Sequence, residues 1–158
     1  MASQQKTRFG GAADLPAART RIGVGVVVMD AAGQVLLEKR SDCGLWGLLG
    51  GRVEPGESIH QTARREVKEE SGLEIEILSL IGVYSEPGGR LVTYPGELHP
   101  VHLIDIILSA RITGGTLRCS LESEELRFFP KETFPAEIAP PAVAPLRDFC
   151  LGRMGIID

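Results

Sequence analysis

The spacing of apolar and polar positions changes several times along the chain, and each change marks an element. RIGVGVVVMD (21–30) is a β-branched run that ends in the turn Asp30-Ala31-Ala32-Gly33, and QVLLEKR (34–40) follows at hairpin distance, so the two read as paired strands. LWGLLGG is expected to close a short strand at Gly50-Gly51. Pro55-Gly56 then breaks the chain, Ser58 is placed to cap a helix running to about Ser71, and Gly72 is its stop. Residues 73–85, LEIEILSLIGVYS, begin in apolar–polar alternation, as a strand does. The segment 86–98 holds two prolines and three glycines and reads as a loop or irregular hairpin. A second long β-branched run (99–112) stops at Gly114-Gly115, an edge strand is expected around 126–129, and a helix after Pro140-Pro141 closes the chain. Strands with a charged helix among them and a terminal helix predict an α/β or α+β domain, helices covering a mixed sheet.

Composition narrows the function classes. At 158 residues, 43% of them hydrophobic and 24% charged, the chain reads as one globular domain at 21–158. Residues 1–20 contain Lys6, Arg8 and Arg19 but no apolar core, so a loose, flexible leader is expected there and a secretory signal is not. The longest apolar stretch, eight residues from Ile22 to Met29, falls far short of the roughly 20 that cross a bilayer, so no membrane span is expected. Three widely spaced cysteines without a CxxC fit a reducing cytoplasm rather than a disulfide framework or zinc site. A net charge of −4 with scattered arginines argues against nucleic acid as partner.

The helix at 58–71 carries the chemistry. At roughly 100° per residue, Ile59, Ala63 and Val67 form the core stripe, while His60, Gln61, Arg64 and Lys68 face solvent. Glu66 and Glu70 fall beside Ala63 at the edge of that stripe, with Glu69 one step further round. A solvated face laced with pairs such as Arg65–Glu69 is the plain alternative, since such pairs are common on helices. It fits poorly. Glu66 and Glu70 are a like-charge i,i+4 pair, and they sit near the helix C-terminal end, where the helix dipole disfavours anions. A hard divalent cation would compensate them, and Mg²⁺ is typically held by one or two carboxylates together with substrate phosphates.

These residues also carry a family resemblance. Gly51, five residues, Glu57, seven residues, Arg65-Glu66-Val67, one residue, Glu69-Glu70, one residue, Gly72-Leu73 resembles the Nudix box in all nine of its specified positions over 23 residues. The resemblance implies the Nudix fold, an α/β/α sandwich around a mixed β-sheet, and a pyrophosphohydrolase that cleaves a diphosphate attached to a nucleoside. It implies Mg²⁺ (or Mn²⁺) as cofactor, with Glu66 and Glu70 as ligands, Glu69 as ligand or water-activating group, and the Gly50 carbonyl completing the shell. Arg65 would orient the carboxylates, Glu57 would support the metal or the loop, and Gly51 would admit the substrate closely. One position departs from the family: Leu49 stands where a proline usually precedes the paired glycines, which loosens the loop but removes no ligand.

Around the box, Arg40 is a candidate phosphate contact or a strand-end surface arginine. Trp46 is a base-stacking or core residue, with core packing favoured. His99 and His102 are three apart on a strand and so face opposite sides. Glu97, Glu122, Glu124 and Glu125 lie in or near loops from which family members take a general base. Pro87 lies close to a marker proline of ADP-sugar pyrophosphatases, which favours an ADP-ribose-like sugar nucleotide as substrate. A nucleoside triphosphate pyrophosphohydrolase and a non-catalytic nucleotide-sensing module are the alternatives, the second disfavoured by an intact set of box carboxylates. Base and sugar selectivity would come from the loops at 86–98 and 114–125, and from a partner subunit if the chain forms a homodimer.

Overall fold

A computed structural model describes residues 5–158. In chain order the elements are β1 (Arg8–Phe9), a 3-10 turn (Ala12–Ala17), β2 (Arg19–Met29), β3 (Val35–Arg40), β4 (Trp46–Gly47) and β5 (Leu49–Arg52). Helix α1 (Ile59–Ser71) follows, then β6 (Leu73–Tyr84), β7 (Leu91–Thr93), β8 (Val101–Gly115), β9 (Ser123–Phe129), α2 (Pro140–Cys150) and β10 (Ile156–Ile157).

The sheet is mixed and centres on β8, which pairs in parallel with β2 from Arg19↔Val101 to Met29↔Arg111 and antiparallel with β6 and β7. The expected β2–β3 hairpin forms only at its tip, Val28↔Leu36 and Met29↔Val35, because β5 takes the same edge of β2 from Gly23 to Val26. Strand β3 turns away instead to pair with β9 and β4.

The apolar run of β2 is continuous because both faces are covered. Val24, Val26 and Val28 join Ala63 and Val67 of α1 in one core, whereas Val27 joins Ala142 and Leu146 of α2 in another. Alternate strand residues face opposite sides, so the two helices cover opposite faces of the sheet, as the α/β/α sandwich requires.

Helix α1 starts and stops where its sequence says. The Ser58 hydroxyl accepts from the Gln61 N–H at 3.2 Å and the Gln61 side chain accepts from the Ser58 N–H at 2.8 Å, a reciprocal capping box. Gly72 ends it at φ 75°, with the carbonyl of Thr116 against the space a Cβ would fill. Helix α2 begins on Pro140 and Pro141, whose fixed φ suits a first turn. Pro145 inside it has no N–H for the Pro141 carbonyl four residues back, and the Arg90 side chain donates to that carbonyl at 2.8 Å instead.

Several expectations need correction. Residues expected to be a loose leader contain β1, the 3-10 turn and the start of β2, and Thr7 is buried against Asp42; residues 1–4 lie outside the described residues. The loop at 86–98 includes β7, and the edge strand begins at Ser123 rather than near 126. His99 precedes β8 in an exposed loop, while His102 lies on β8 with its Nε2 2.6 Å from the Ser85 carbonyl. Leu49 is fully buried and paired with Val26, so the strand ladder fixes the backbone there without a proline.

Gly72→Ala should cost at least about 1–2 kcal/mol, the penalty of the left-handed region for a residue with a Cβ. Urea unfolding of the variant against the parent measures it.

Candidate active site

Part of the box lines a cleft of about 460 Å³, a volume typical of small-molecule sites, while Glu57 and Arg65 lie outside its lining. Gly50, Gly51, Glu66, Glu69 and Glu70 line it, joined from other elements by Arg40, Glu122, Arg21 and Asp105. The glycines are there for space. A Cβ on Gly51 would overlap the Glu66 carboxylate, and one on Gly50, at φ 149°, would collide with the Val24 carbonyl. The paired glycines thus let α1 press its carboxylates against the edge of β5.

Arg65 is the hub. Its Nε donates to Glu57 Oε1 at 2.5 Å and its Nη2 to Glu57 Oε2 at 2.9 Å, a bidentate pair, while Nη1 donates to Glu66 Oε1 at 2.7 Å. The Glu69 carboxylate is more loosely held by the same nitrogen at 3.4 Å and is mostly exposed. Arg65 also caps the Arg52 carbonyl at 3.2 Å, tying the helix to the loop that enters it. The bonds from Arg65 hold the Glu57 carboxyl down to about 2, with Thr62 and the Glu54 N–H assisting. Glu57 is therefore a loop clasp.

The other carboxylates are pushed the opposite way. Burial raises Glu66 above its usual range despite Arg65, and Glu69 and Glu122 add to the rise. Glu70 is only 5% exposed and lies deeper than the helix-edge position its spacing implies. Burial, then the charge of Glu38, lifts it well above the carboxylate range, although the Gly50 N–H donates to its Oε2 at 2.8 Å. It is the Gly50 amide, then, that engages this helix.

Glu38 was not singled out from the sequence. It is 2% exposed, accepts from the Ser123 hydroxyl at 2.5 Å, and is raised chiefly by burial. It follows the apolar run Val35-Leu36-Leu37 and opens the charged stretch Glu38-Lys39-Arg40, so nothing in the sequence alone marks it. Asp105, in the midst of the apolar run of β8, does stand out as a lone acid.

The remaining candidates separate clearly. Arg40 reaches the cleft but is paired with Asp42 through two bonds of 3.0 and 2.8 Å; burial works against its charge, and Asp42 more than compensates, raising its pKa. Trp46 is 5% exposed and packs edge-on against Phe129 at 5.0 Å, a core residue. Glu97 pairs with Arg21 at 3.0 Å, Glu124 with Lys39 at 3.5 Å, and Glu125 with Arg127. Of these candidates, Glu97, Glu122, Glu124 and Glu125, Glu122 alone lines the same cleft as Glu66, Glu69 and Glu70. Pro87 accepts the Arg90 N–H in a turn at 2.9 Å, outside the cleft lining.

Among the described residues, no three His, Cys, Asp or Glu side chains already converge as a closed cation cage. The site offers instead buried carboxyl oxygens whose pKa burial raises, beside a backbone edge with no side chain in the way. That donor set suits a hard divalent cation.

This architecture and box define a Nudix hydrolase. A family model described as NUDIX domain matches residues 19–149, and the chain belongs to that family, whose members generally use divalent metals such as Mg²⁺ or Mn²⁺. The chain is similar to a putative 8-oxo-dGTP diphosphatase of Bacillus subtilis, 33% identical over 85% of this chain and 83% of that one. An ADP-ribose pyrophosphatase of Methanocaldococcus jannaschii is also 33% identical, over 68% of this chain and 61% of its own length. The fold matches a Nudix hydrolase crystal structure from Nitrosomonas europaea with a TM-score of 0.69 at 24% identity, covering 87% of this chain and 76% of that one. No helix among the described residues is long and apolar enough to cross a membrane.

The raised carboxyls have a consequence for stability. A carboxyl whose pKa is higher folded than unfolded binds its proton more tightly in the fold. Its contribution to stability is therefore fully present at low pH and is lost as pH rises through the interval between the ordinary and the raised value. Glu38→Gln removes one such carboxyl, so the chelator-treated variant should melt a few degrees above the parent at about pH 8, the gap closing toward about pH 4.5. Thermal unfolding at the two pH values measures it.

Proposed function

We propose that this chain hydrolyses the phosphoanhydride of a nucleoside triphosphate or diphosphate derivative with the help of Mg²⁺ or Mn²⁺, releasing a nucleoside monophosphate. The observation that carries the reading is that Glu66, Glu69, Glu70 and Glu122 line one cleft that also holds Arg21 and Arg40. The triphosphate form is placed ahead of an ADP-ribose-like sugar nucleotide. In support, the relative named for 8-oxo-dGTP is matched over most of both chains, and the one named for ADP-ribose over a smaller share of each.

Glu66 and Glu70 would hold the cation, with Glu69 at the solvent side and Glu38 behind Glu70. Such a cation supplies charge neutralisation at the phosphate oxygens. Arg65 keeps Glu66 in place and clasps Glu57, so the helix and its entering loop present the carboxylates as one unit. Gly50 and Gly51 leave the β5 edge open to the diphosphate. Water attacks phosphorus as the anhydride P–O bond breaks, and Glu122, whose carboxylate is not tied into an ion pair among the described residues, accepts the water proton.

Glu122→Gln should lower kcat by about 10²–10⁴-fold, the usual contribution of a general base, with Mn²⁺ affinity unchanged. Glu70→Gln should weaken Mn²⁺ binding and turnover together. Steady-state kinetics on nucleotides with product identification, beside Mn²⁺ titration, separates the two. Full activity of Glu122→Gln would move the proton-accepting role to Glu69, and turnover undiminished by chelator would overturn the metal-dependent reading.

A further inference from the structure

Beyond the carboxylates of α1, the same cleft contains a second acid that the reaction does not use. Asp105 lies on β8, its side chain 13% exposed, and what remains exposed lines the cleft. Among the described residues its oxygens accept no hydrogen bond; the nearest cationic atom is Arg90 Nε at 3.5 Å, which is itself buried and without a hydrogen-bond partner. Burial, outweighing Arg90, raises the Asp105 carboxyl to about 6. An ionised carboxylate almost wholly out of water and lacking donors is costly unless something supplies them.

Its surroundings hold it in place. Arg90 cannot swing toward the acid, because its guanidinium donates to the Pro141 carbonyl and stacks over Tyr84 at 5.1 Å, with the Tyr84 hydroxyl anchored on Asp148. On β2, Gly23 stands directly opposite Asp105, and a Cβ there would lie 2.7 Å from Asp105 Oδ1. Beside the acid, Phe9, Val92, Leu103 and Tyr94 form a small apolar cluster that also lines the cleft, with Arg21 over the Tyr94 ring at 5.4 Å. A flat heteroaromatic ring fits such a wall; a sugar fits it less well.

Position supplies the scale. Asp105 pairs with Gly23, and the next residue of β2, Val24, pairs with Gly51, the glycine pressed against Glu66. Two strand spacings of about 4.8 Å put Asp105 about 10 Å from the box edge, which leaves room for a sugar and first phosphate between them.

We propose that Asp105 selects the nucleobase, accepting two adjacent hydrogen bonds from the N1–H and 2-amino group of a guanine-type ring. A carboxylate offers acceptors only, so it pairs with two neighbouring donors and repels adenine, which sets a lone pair beside its amino group. Arg90 is a positioning residue that acts through Asp105. This inference rests on the reading of the chain as a nucleotide hydrolase and names the base that reading leaves open.

Two readouts test it: calorimetric binding of dGMP, dIMP and dAMP to the intact chain, and kcat/KM for dGTP, GTP, dITP and dATP with Mg²⁺. The parent should favour dGTP over dATP by about 10- to 100-fold and lose about 10-fold on dITP, which lacks the 2-amino donor, mainly through KM. Asp105→Asn should erase the guanine preference in both readouts, dGTP falling toward dATP while dATP gains from the lost repulsion. The parent panel alone decides the matter should the variant fail to fold. A ribose diol is the other source of paired donors; GTP far ahead of dGTP, with the variant harming GTP and ATP equally, would place the sugar there and overturn the assignment to the base. Turnover without base preference would overturn this inference and leave the hydrolase reading standing. A guanine preference in binding without turnover would do the reverse, and neither binding nor turnover would end both.

Discussion

Like charges held out of water in one small volume are the constraint around which this molecule is arranged. Glu38, Glu66 and Glu70 come from two different elements, β3 and α1, and burial raises the pKa of each. Arg65 offsets part of the repulsion for Glu66 and is itself shared with Glu57, and the Gly50 amide does the same for Glu70. What these partners leave uncompensated is the electrostatic demand that a divalent cation would meet.

The fold supplies the enclosure. Covering both faces of β2 forces a continuous valine run in its second half, yet its first half alternates with Gly23 and Gly25, which line the cleft. Glycines on β2 and β5 thus remove side chains just where the helix carboxylates and Asp105 approach. Helix α2 contributes from the opposite face: its internal proline leaves a carbonyl unbonded, that carbonyl fixes Arg90, and Arg90 sets the charge next to Asp105. Core packing and the cleft are therefore parts of one arrangement.

Much of this was legible in the sequence because its signals are local. Helix α1 was readable from Ser58 to Gly72, since a capping box and a left-handed glycine act within a few residues. The box residues were readable from spacing, because residues three and four apart share a helix face. The depth of Glu70 was not, as a helical wheel gives direction but not what packs over it. Glu38 and Asp105 were missed for a related reason: one opens the charged end of β3 and the other is a lone acid in the apolar run of β8, and the meaning of each depends on the neighbour that strand pairing brings, Ser123 for one and Gly23 for the other. The segment before β2 reads as polar and loose, but its structure comes from pairing with β7, more than eighty residues away in sequence.

The central claim is that the buried acids are the binding site of a divalent cation, and proton release tests it most directly. Mn²⁺ titrated by calorimetry at about pH 6, in two buffers of unlike ionisation enthalpy, reports protons displaced on binding. Carboxyls raised by burial must give up protons to the cation, so the apparent heats should differ between buffers, and the difference should shrink in Glu70→Gln. Mn²⁺ binding with equal heats in both buffers, or with the difference untouched in that variant, would contradict the account.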